Sequence, residues 1–365
     1  MRIKKSGRGA LIAIFLVALV VFGLIYGAWT TITTVFSPPA ATQTNQISLV
    51  IQSGETTQSI ADDLYKRGLI RNPLAFRIWA RLKGLDTHLQ AGAYRLTPGM
   101  SIDQIIAKLQ NGQPDEKNLA VIDGWRLEQI AAQANSLGLG GFNEQQFLTY
   151  THHPDQFPDA AKYPILQHVP SMEGLLFPNT YFIPVNYNTV QIIDAMLDGF
   201  NQVMQQYNLV ATAQQHQLSE YQMVILASIV QREAANNGQM PLIAGIYWKR
   251  IYQPSSEIGP YLQADPTVQY AHDTDNPPSS ADKYWGQLGN TGGKVDPSSH
   301  WNTYKFQGWP PTPIASPNLK ALQAAASPAQ TNCYYFLSKK SDGSLVCVPT
   351  YAQFQQLEQQ YLPQN

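Results

Sequence analysis

The chain of 365 residues carries 24 basic and 25 acidic side chains, and 44% of it is hydrophobic. That apolar fraction supports globular cores in a length that favours two domains, while 25 Pro and 25 Gly argue against a long helical bundle. Arg2, Lys4, Lys5 and Arg8 all precede the first acidic residue, Glu55; the remainder has 20 basic against 25 acidic residues, which gives no electrostatic case for nucleic acid.

No charge occurs in residues 10–36, and residues 11–26 are nearly all apolar. Residues 10–30 are therefore expected to form a transmembrane anchor, close to the ~20 residues needed to span a bilayer. The basic tail, residues 1–9, is held in the cytoplasm, and Trp29 sits at the far interface. A signal peptide cut near Ala40-Ala41 is the alternative, but the apolar stretch exceeds the ~7–15 residues of a signal core. Both readings export the rest. Residues 31–46, with Pro38 and Pro39, read as a linker.

Residues 47–115 read as a small α+β module. A strand over 47–51 leads through Gly54-Glu55-Thr56-Thr57 into a helix carrying Ile60, Leu64 and Ile70. A second helix over 73–83 holds Phe76, Trp79 and Leu82, and residues 91–96 are strand-like. Ser101 and Gln104 form a capping box for a helix with Ile102, Ile105, Ile106 and Leu109 on one face.

Residues 116–365 read as a larger α+β domain. It opens with a strand over 118–122 and a helix over 124–137. His152 and His153 are adjacent, so their side chains diverge, and no metal site is expected there. In PSMEGLLFPNTYFIP (residues 170–184), Glu173, Asn179, Tyr181 and Phe182 combine an acid, an amide and aromatics, as a sugar-binding wall requires; a core edge is the alternative. The central stretch is residues 219–235. Ser219 and Gln222 fit a capping box, and the following residues are apolar on nearly every side, as in a buried helix. Leu226, Val230 and Glu233 follow at steps of four and three, so Glu233 continues an apolar stripe. Burial there keeps a carboxyl protonated near neutral pH, as a general acid needs. The alternative is a surface glutamate paired with Arg232 or Lys249.

Pro241 opens another helix, through Ile251. Residues 262–267 (LQADPT) precede a poorly patterned stretch, 272–300, read as a functional flap or disorder. Residues 319–326 form a helix, and residues 334–337 and 345–348 form a hairpin about Ser341-Asp342-Gly343. If the turn centres on Lys340, the only two cysteines, Cys333 and Cys347, lie opposite each other within disulfide reach. A register slip leaves two free thiols instead. Such a crosslink is expected to add stability and leave catalysis untouched.

Several strings together are more specific than any one. LASIVQRE, LQADPTVQY, NTYKFQGWPPTPIASP and ALQAAASPAQTNCYYFLS, with EGLLFPNTYFIP upstream, resemble the YceG-like family of endolytic murein transglycosylases. VIQSGETTQSIADDLYKRGLI resembles a LysM glycan-binding module; a packing domain without ligand is the alternative. The family resemblance implies an inner-membrane protein with its catalytic region in the periplasm. It would cut peptidoglycan glycan strands internally without water or cofactor, ending nascent strands alongside peptidoglycan synthases. The family's catalytic acid, in an Ile-Val-Glu-x-Glu string, falls on Glu233, while its first acidic position is Gln231 here. Glu173, Asn179, Asp265, Asn302 and Tyr304 would bind substrate. Three departures stand out: Lys249-Arg250-Ile251 for Asn-Arg-Leu, Trp301 for Tyr, and Thr312 for Gly. A hydrolytic muramidase, with Asp265 or Glu173 activating water, and a non-catalytic anchored peptidoglycan-binding protein are the competing functions.

Overall fold

The computed structural model describes residues 36–39, 47–51, 55–84, 92–110, 116–286, 298–339 and 341–361. The expected anchor, most of the linker, Gly54 and residues 287–297 of the long loop lie outside them. Among the described residues no helix is long and apolar enough to cross a membrane. The chain divides into two compact units, residues 1–116 with 184–186, and residues 117–183 with 187–365.

The first unit is built from β1 (Ile47–Ile51), α1 (Thr57–Lys66), α2 (Pro73–Leu82), β2 (Gly92–Leu96) and α3 (Ile102–Gln110). β1 and β2 pair antiparallel, with Leu49 opposite Tyr94. Thr56 caps α1 by accepting the Ser59 N–H at 3.2 Å, and Ser101 and Gln104 form the expected reciprocal cap on α3. α1 stops at Lys66 rather than reaching Ile70. Gly68 turns the chain at φ +69°, a conformation open to glycine, and Leu69 and Ile70 enter the core from that turn. Leu49, Ile60, Leu64, Phe76, Leu96 and Ile105 close this core, whereas Leu82 is 71% exposed. The described part of the linker, residues 36–39, is docked: the Phe36 ring lies 5.2 Å from Trp79, and Arg71 donates to the carbonyls of Pro38 and Pro39.

β3 (Glu116–Ala120) starts two residues earlier than expected, on the last residue before the division, and leads into the second unit and its α4 (Leu127–Ser136). α4 begins at Leu127 rather than Gly124, because Gly124 has φ +77° and Arg126 is extended at the N-cap. α5 (Glu144–His152) follows, then β4 (Thr180–Pro184), which pairs with β3. The remaining helices are α6 (Thr189–Gln206), α7 (Leu209–Gln215), α8 (Glu220–Glu233), α9 (Met240–Tyr252), α10 (Asp265–Asp275) and α11 (Leu319–Ala326). The unit ends with β5 (Tyr335–Ser338), β6 (Leu345–Val348) and α12 (Tyr351–Tyr361). α10 runs into the stretch read as loop. Pro266 suits its first turn, and Thr267 bonds back to the Ala264 carbonyl at 2.7 Å.

α8 is the axis of this unit, with α7, α9, α10 and α11 packed around it. Every residue from Met223 to Val230 is buried. α11 presents Ala321, Ala324 and Ala325, small side chains that let two helices approach closely. Gly245 on α9 serves the same end. A Cβ there would meet the Ala329 carbonyl oxygen at 2.1 Å.

The hairpin register differs from the sequence expectation. Tyr335 pairs with Val348 and Phe336 with Cys347, so Cys347 does not face Cys333. The disulfide forms all the same, with Cα atoms 5.7 Å apart. Cys333 lies ahead of β5, in a turn held by its N–H to Thr331 Oγ1, and reaches Cys347 from there.

Candidate active site

Ser219 and Gln222 cap α8 reciprocally, at 3.2 and 2.9 Å. Ser228, buried in the middle of the helix, is satisfied by donating to the Ile225 carbonyl and accepting the Ile314 N–H. Ala234 is extended and ends the helix, leaving Glu233 on its last turn.

The Glu233 carboxyl is held by one strong contact: the Tyr247 hydroxyl donates to Oε1 at 2.6 Å. Burial pushes its pKa up to about 7, against the Tyr247 hydrogen bond, which favours the ionised form; Asp265 raises it further and Arg250 lowers it. The negative end of the helix dipole opposes ionisation as well. Neither basic neighbour named in the alternative reading pairs with Glu233. Arg232 lies 4.1 Å over the Trp285 ring, and Lys249 donates to the Thr331 carbonyl.

Tyr247 and Arg250 stand three residues apart on α9, hence on one face. Arg250 is 5% exposed. Its Nε and Nη2 donate to the Tyr334 carbonyl at 2.8 and 2.6 Å, and Nη1 donates to the Leu262 carbonyl. It thus ties α9 to the hairpin and to the segment that leads into α10. Gln263, next in that segment, is held at φ +49°, a strained region for a side chain of its size.

These groups open into a cavity of about 700 Å³, lined by Glu233, Tyr247, Arg250, Gln263, Asp265 and Tyr304. Glu257, Tyr335, Phe336, Tyr351 and Phe354 line it as well. The Tyr304 hydroxyl donates to Asp265 Oδ1 at 2.6 Å, closing the rim.

Of the residues named from sequence, Glu233, Asp265 and Tyr304 meet in this cavity. Asn302 supports it from behind: its Oδ1 accepts the Tyr304 N–H at 3.2 Å and shapes the turn that carries that ring. Glu173 and Asn179 are not among the lining residues. Asn179 is exposed beside β4, its carbonyl bonded to the Val121 N–H and its side chain to Thr180. Glu173 is fully buried, so it has no route to a sugar hydroxyl. Tyr270 donates to its Oε2 at 3.3 Å, while Oε1 has no partner among the described residues. Burial pushes its pKa up to about 8, reinforced by Glu128 and opposed by Arg126. Arg126 itself is 1% exposed, stacked 4.0 Å from Tyr270 and bonded to Glu128. The stretch 170–184 thus supplies a core edge: Tyr181 bonds the Phe177 carbonyl and packs on Gly199.

Trp301 and Thr312, two positions where the chain departs from the pattern it resembles, touch each other: Trp301 Nε1 donates to Thr312 Oγ1 at 3.0 Å. Both lie outside the cavity lining. Tyr247, Glu257 and the C-terminal aromatics were not singled out from sequence. The adjacent Tyr334-Tyr335-Phe336 in a chain read as glycan-active was the available pointer.

The YceG-like family matches residues 49–360. An endolytic murein transglycosylase of Bacillus subtilis (strain 168) is 28% identical over 329 residues, 87% of this chain and 85% of the relative. The endolytic murein transglycosylase of Streptococcus pneumoniae serotype 2 (strain D39 / NCTC 7466) is also 28% identical, over 84% of this chain; the match spans only 57% of that longer protein. Among solved structures, a YceG-like protein from Listeria monocytogenes at 2.6 Å superposes with a TM-score of 0.54 at 26% identity, over 86% of this chain and 99% of that one.

Proposed function

The chain belongs to the YceG-like family, and from that premise we propose that it is an endolytic murein transglycosylase with Glu233 as its catalytic group. The observation that carries the assignment is a buried carboxyl, fixed through one oxygen by Tyr247 and opening into a cavity lined by Asp265, Tyr304 and several aromatic rings; burial raises its pKa to about 7. With Oε1 engaged, Oε2 is free to carry the proton. In its acid form Glu233 protonates the oxygen between N-acetylmuramic acid and N-acetylglucosamine. As carboxylate it then takes the proton from the muramic 6-hydroxyl, which attacks C1 and closes a 1,6-anhydro ring. One carboxyl serves both steps because the nucleophile belongs to the substrate. Asp265, fixed by Tyr304, lies in the same cavity and provides negative charge for the oxocarbenium-like centre.

The presence of that second carboxylate also favours one other reading, a hydrolytic muramidase in which Asp265 activates water. Glu173, being buried, drops out of that role. Product mass separates the two, since the anhydro product is lighter by one water. With sacculi as substrate, the wild-type chain should release anhydro-muropeptides. Glu233→Gln should lower the rate by at least the ~10²–10⁴ expected of a lost general acid. A hydrated product would replace the transglycosylase reading with the muramidase, and a fully active Gln variant would remove Glu233 from the mechanism.

We further infer that residues 10–30 anchor the chain in the inner membrane, with the basic tail cytoplasmic and the catalytic unit periplasmic. The uncharged apolar run behind four basic residues supports this. The first four elements of the first unit, β-α-α-β, are in keeping with a LysM-like glycan-binding module, with α3 following them. An anchored, internally cutting enzyme is suited to terminating nascent strands beside the synthases that make them.

A further inference from the structure

α12 buries none of its residues, yet its first turn carries two aromatic rings that line the cavity. Tyr335 of β5 is almost covered at 7% exposure, with Tyr351 and Phe354 each centred 5.7 Å from it. Tyr351 and Phe354 stack 6.2 Å apart at 29°. Tyr351 remains 48% exposed. Fastening α12 to the hairpin accounts for Phe354 and Tyr335, but not for a half-open ring turned toward the chamber that holds Glu233.

Beside that ring lies a polar group. Glu257 lines the cavity and accepts the Tyr351 N–H through Oε2 at 3.1 Å, which fixes its carboxylate next to the aromatic faces. A flat apolar surface with an adjoining acceptor suits a pyranose, whose C–H face packs on rings while its equatorial hydroxyls donate at the edge.

We propose that Tyr351, backed by Tyr335 and Phe354 and edged by Glu257, is a stacking subsite for a sugar ring of the glycan strand, one unit or more from the bond that is cut. The assignment rests on the transglycosylase reading of the cavity and extends it. An enzyme that cuts within a strand must hold sugars on both sides of its catalytic carboxyl. The C-terminal aromatics line the same cavity as Glu233, Asp265 and Tyr304.

The test separates binding from chemistry. The full chain carrying Glu233→Gln is titrated with peptide-free glycan strands, alone and combined with Tyr351→Ala, Tyr351→Leu or Tyr351→Trp. Loss of one stacking ring should weaken binding roughly fivefold to thirtyfold in the Ala and Leu variants. Trp should restore it, and melting temperatures should stay close to the parent. On the Glu233 background Tyr351→Ala should raise KM for long strands with little change in kcat. Unchanged affinity in Ala and Leu, or a loss that Trp does not restore, overturns the subsite. A hydrated product or an active Glu233→Gln variant would instead overturn the catalytic reading, and the binding titration would still decide the role of Tyr351.

Discussion

Glu233 has neighbours that move its pKa in opposite directions, which makes its role testable by sign. The acid step needs the protonated form. With the pKa at about 7, activity should be full below that value and decline above it. The Tyr247 hydrogen bond favours the carboxylate, so Tyr247→Phe should raise the pKa and carry the alkaline limb to higher pH. It should also slow turnover, since the carboxyl loses the hydrogen bond that fixes it. Asp265 disfavours the carboxylate, so Asp265→Asn should carry the limb to lower pH. Initial rates of anhydro-muropeptide release between pH 5 and 9 read both shifts. Two limbs moving in the same direction would be incompatible with this electrostatic account.

At the scale of elements, the C-terminal hairpin does more than stabilise the chain. The Cys333–Cys347 bond encloses Tyr334, whose carbonyl holds Arg250, and Tyr335 and Phe336, which wall the cavity. Phe336 stands edge-on to Tyr247 at 5.8 Å, so the hairpin also backs the residue that holds Glu233. The expectation that catalysis ignores this crosslink therefore does not follow from the fold. Reduction should cost about 3 kcal/mol in denaturant unfolding, the loop-closure value for a separation of 14 residues. It should also raise KM for glycan. Equal KM in the oxidised and reduced protein would show that the wall keeps its shape without the bond.

At the scale of the whole molecule, the buried Glu173 makes stability depend on pH. Its pKa in the folded protein is about 8, against 4.5 for an ordinary glutamate. Between those values the folded chain keeps a proton that the unfolded chain has released, so stability falls as pH rises through this window. The total is of the order of a few kcal/mol, at ~1.4 kcal/mol per pKa unit. Glu173→Gln keeps the neutral shape and does not titrate. Its stability relative to wild type should grow from pH 5 to pH 9 in urea unfolding. A constant difference would mean that Arg126 keeps Glu173 ionised. Membrane attachment is a property of the intact chain too: with residues 10–30 as an anchor, it should resist extraction by alkali and keep its N-terminus. A soluble form starting near Ala41 would identify a cleaved signal instead.

Sequence by itself determined the features written in local chemistry. The capping boxes at Ser101 and Ser219, the bounds of α11 and the placing of Glu233 at the end of a buried helix all follow from neighbours within four residues. Spacing along the chain also carried the family resemblance, because ordered strings survive without knowledge of contacts. What sequence could not supply was which distant groups converge. Glu173 and Asn179 looked like a sugar wall by composition, but burial and strand pairing are decided by long-range packing, which sent one into the core and the other to a strand edge. Tyr247 became the partner of Glu233 only when α9 packed on α8. The aromatics of the C-terminal hairpin and helix, about a hundred residues beyond Glu233, reached its cavity only through the fold. The hairpin register makes the same point: three residue numbers separate the expected pairing from the real one, because the turn geometry is set by its own hydrogen bonds and not by the cysteines it brings together.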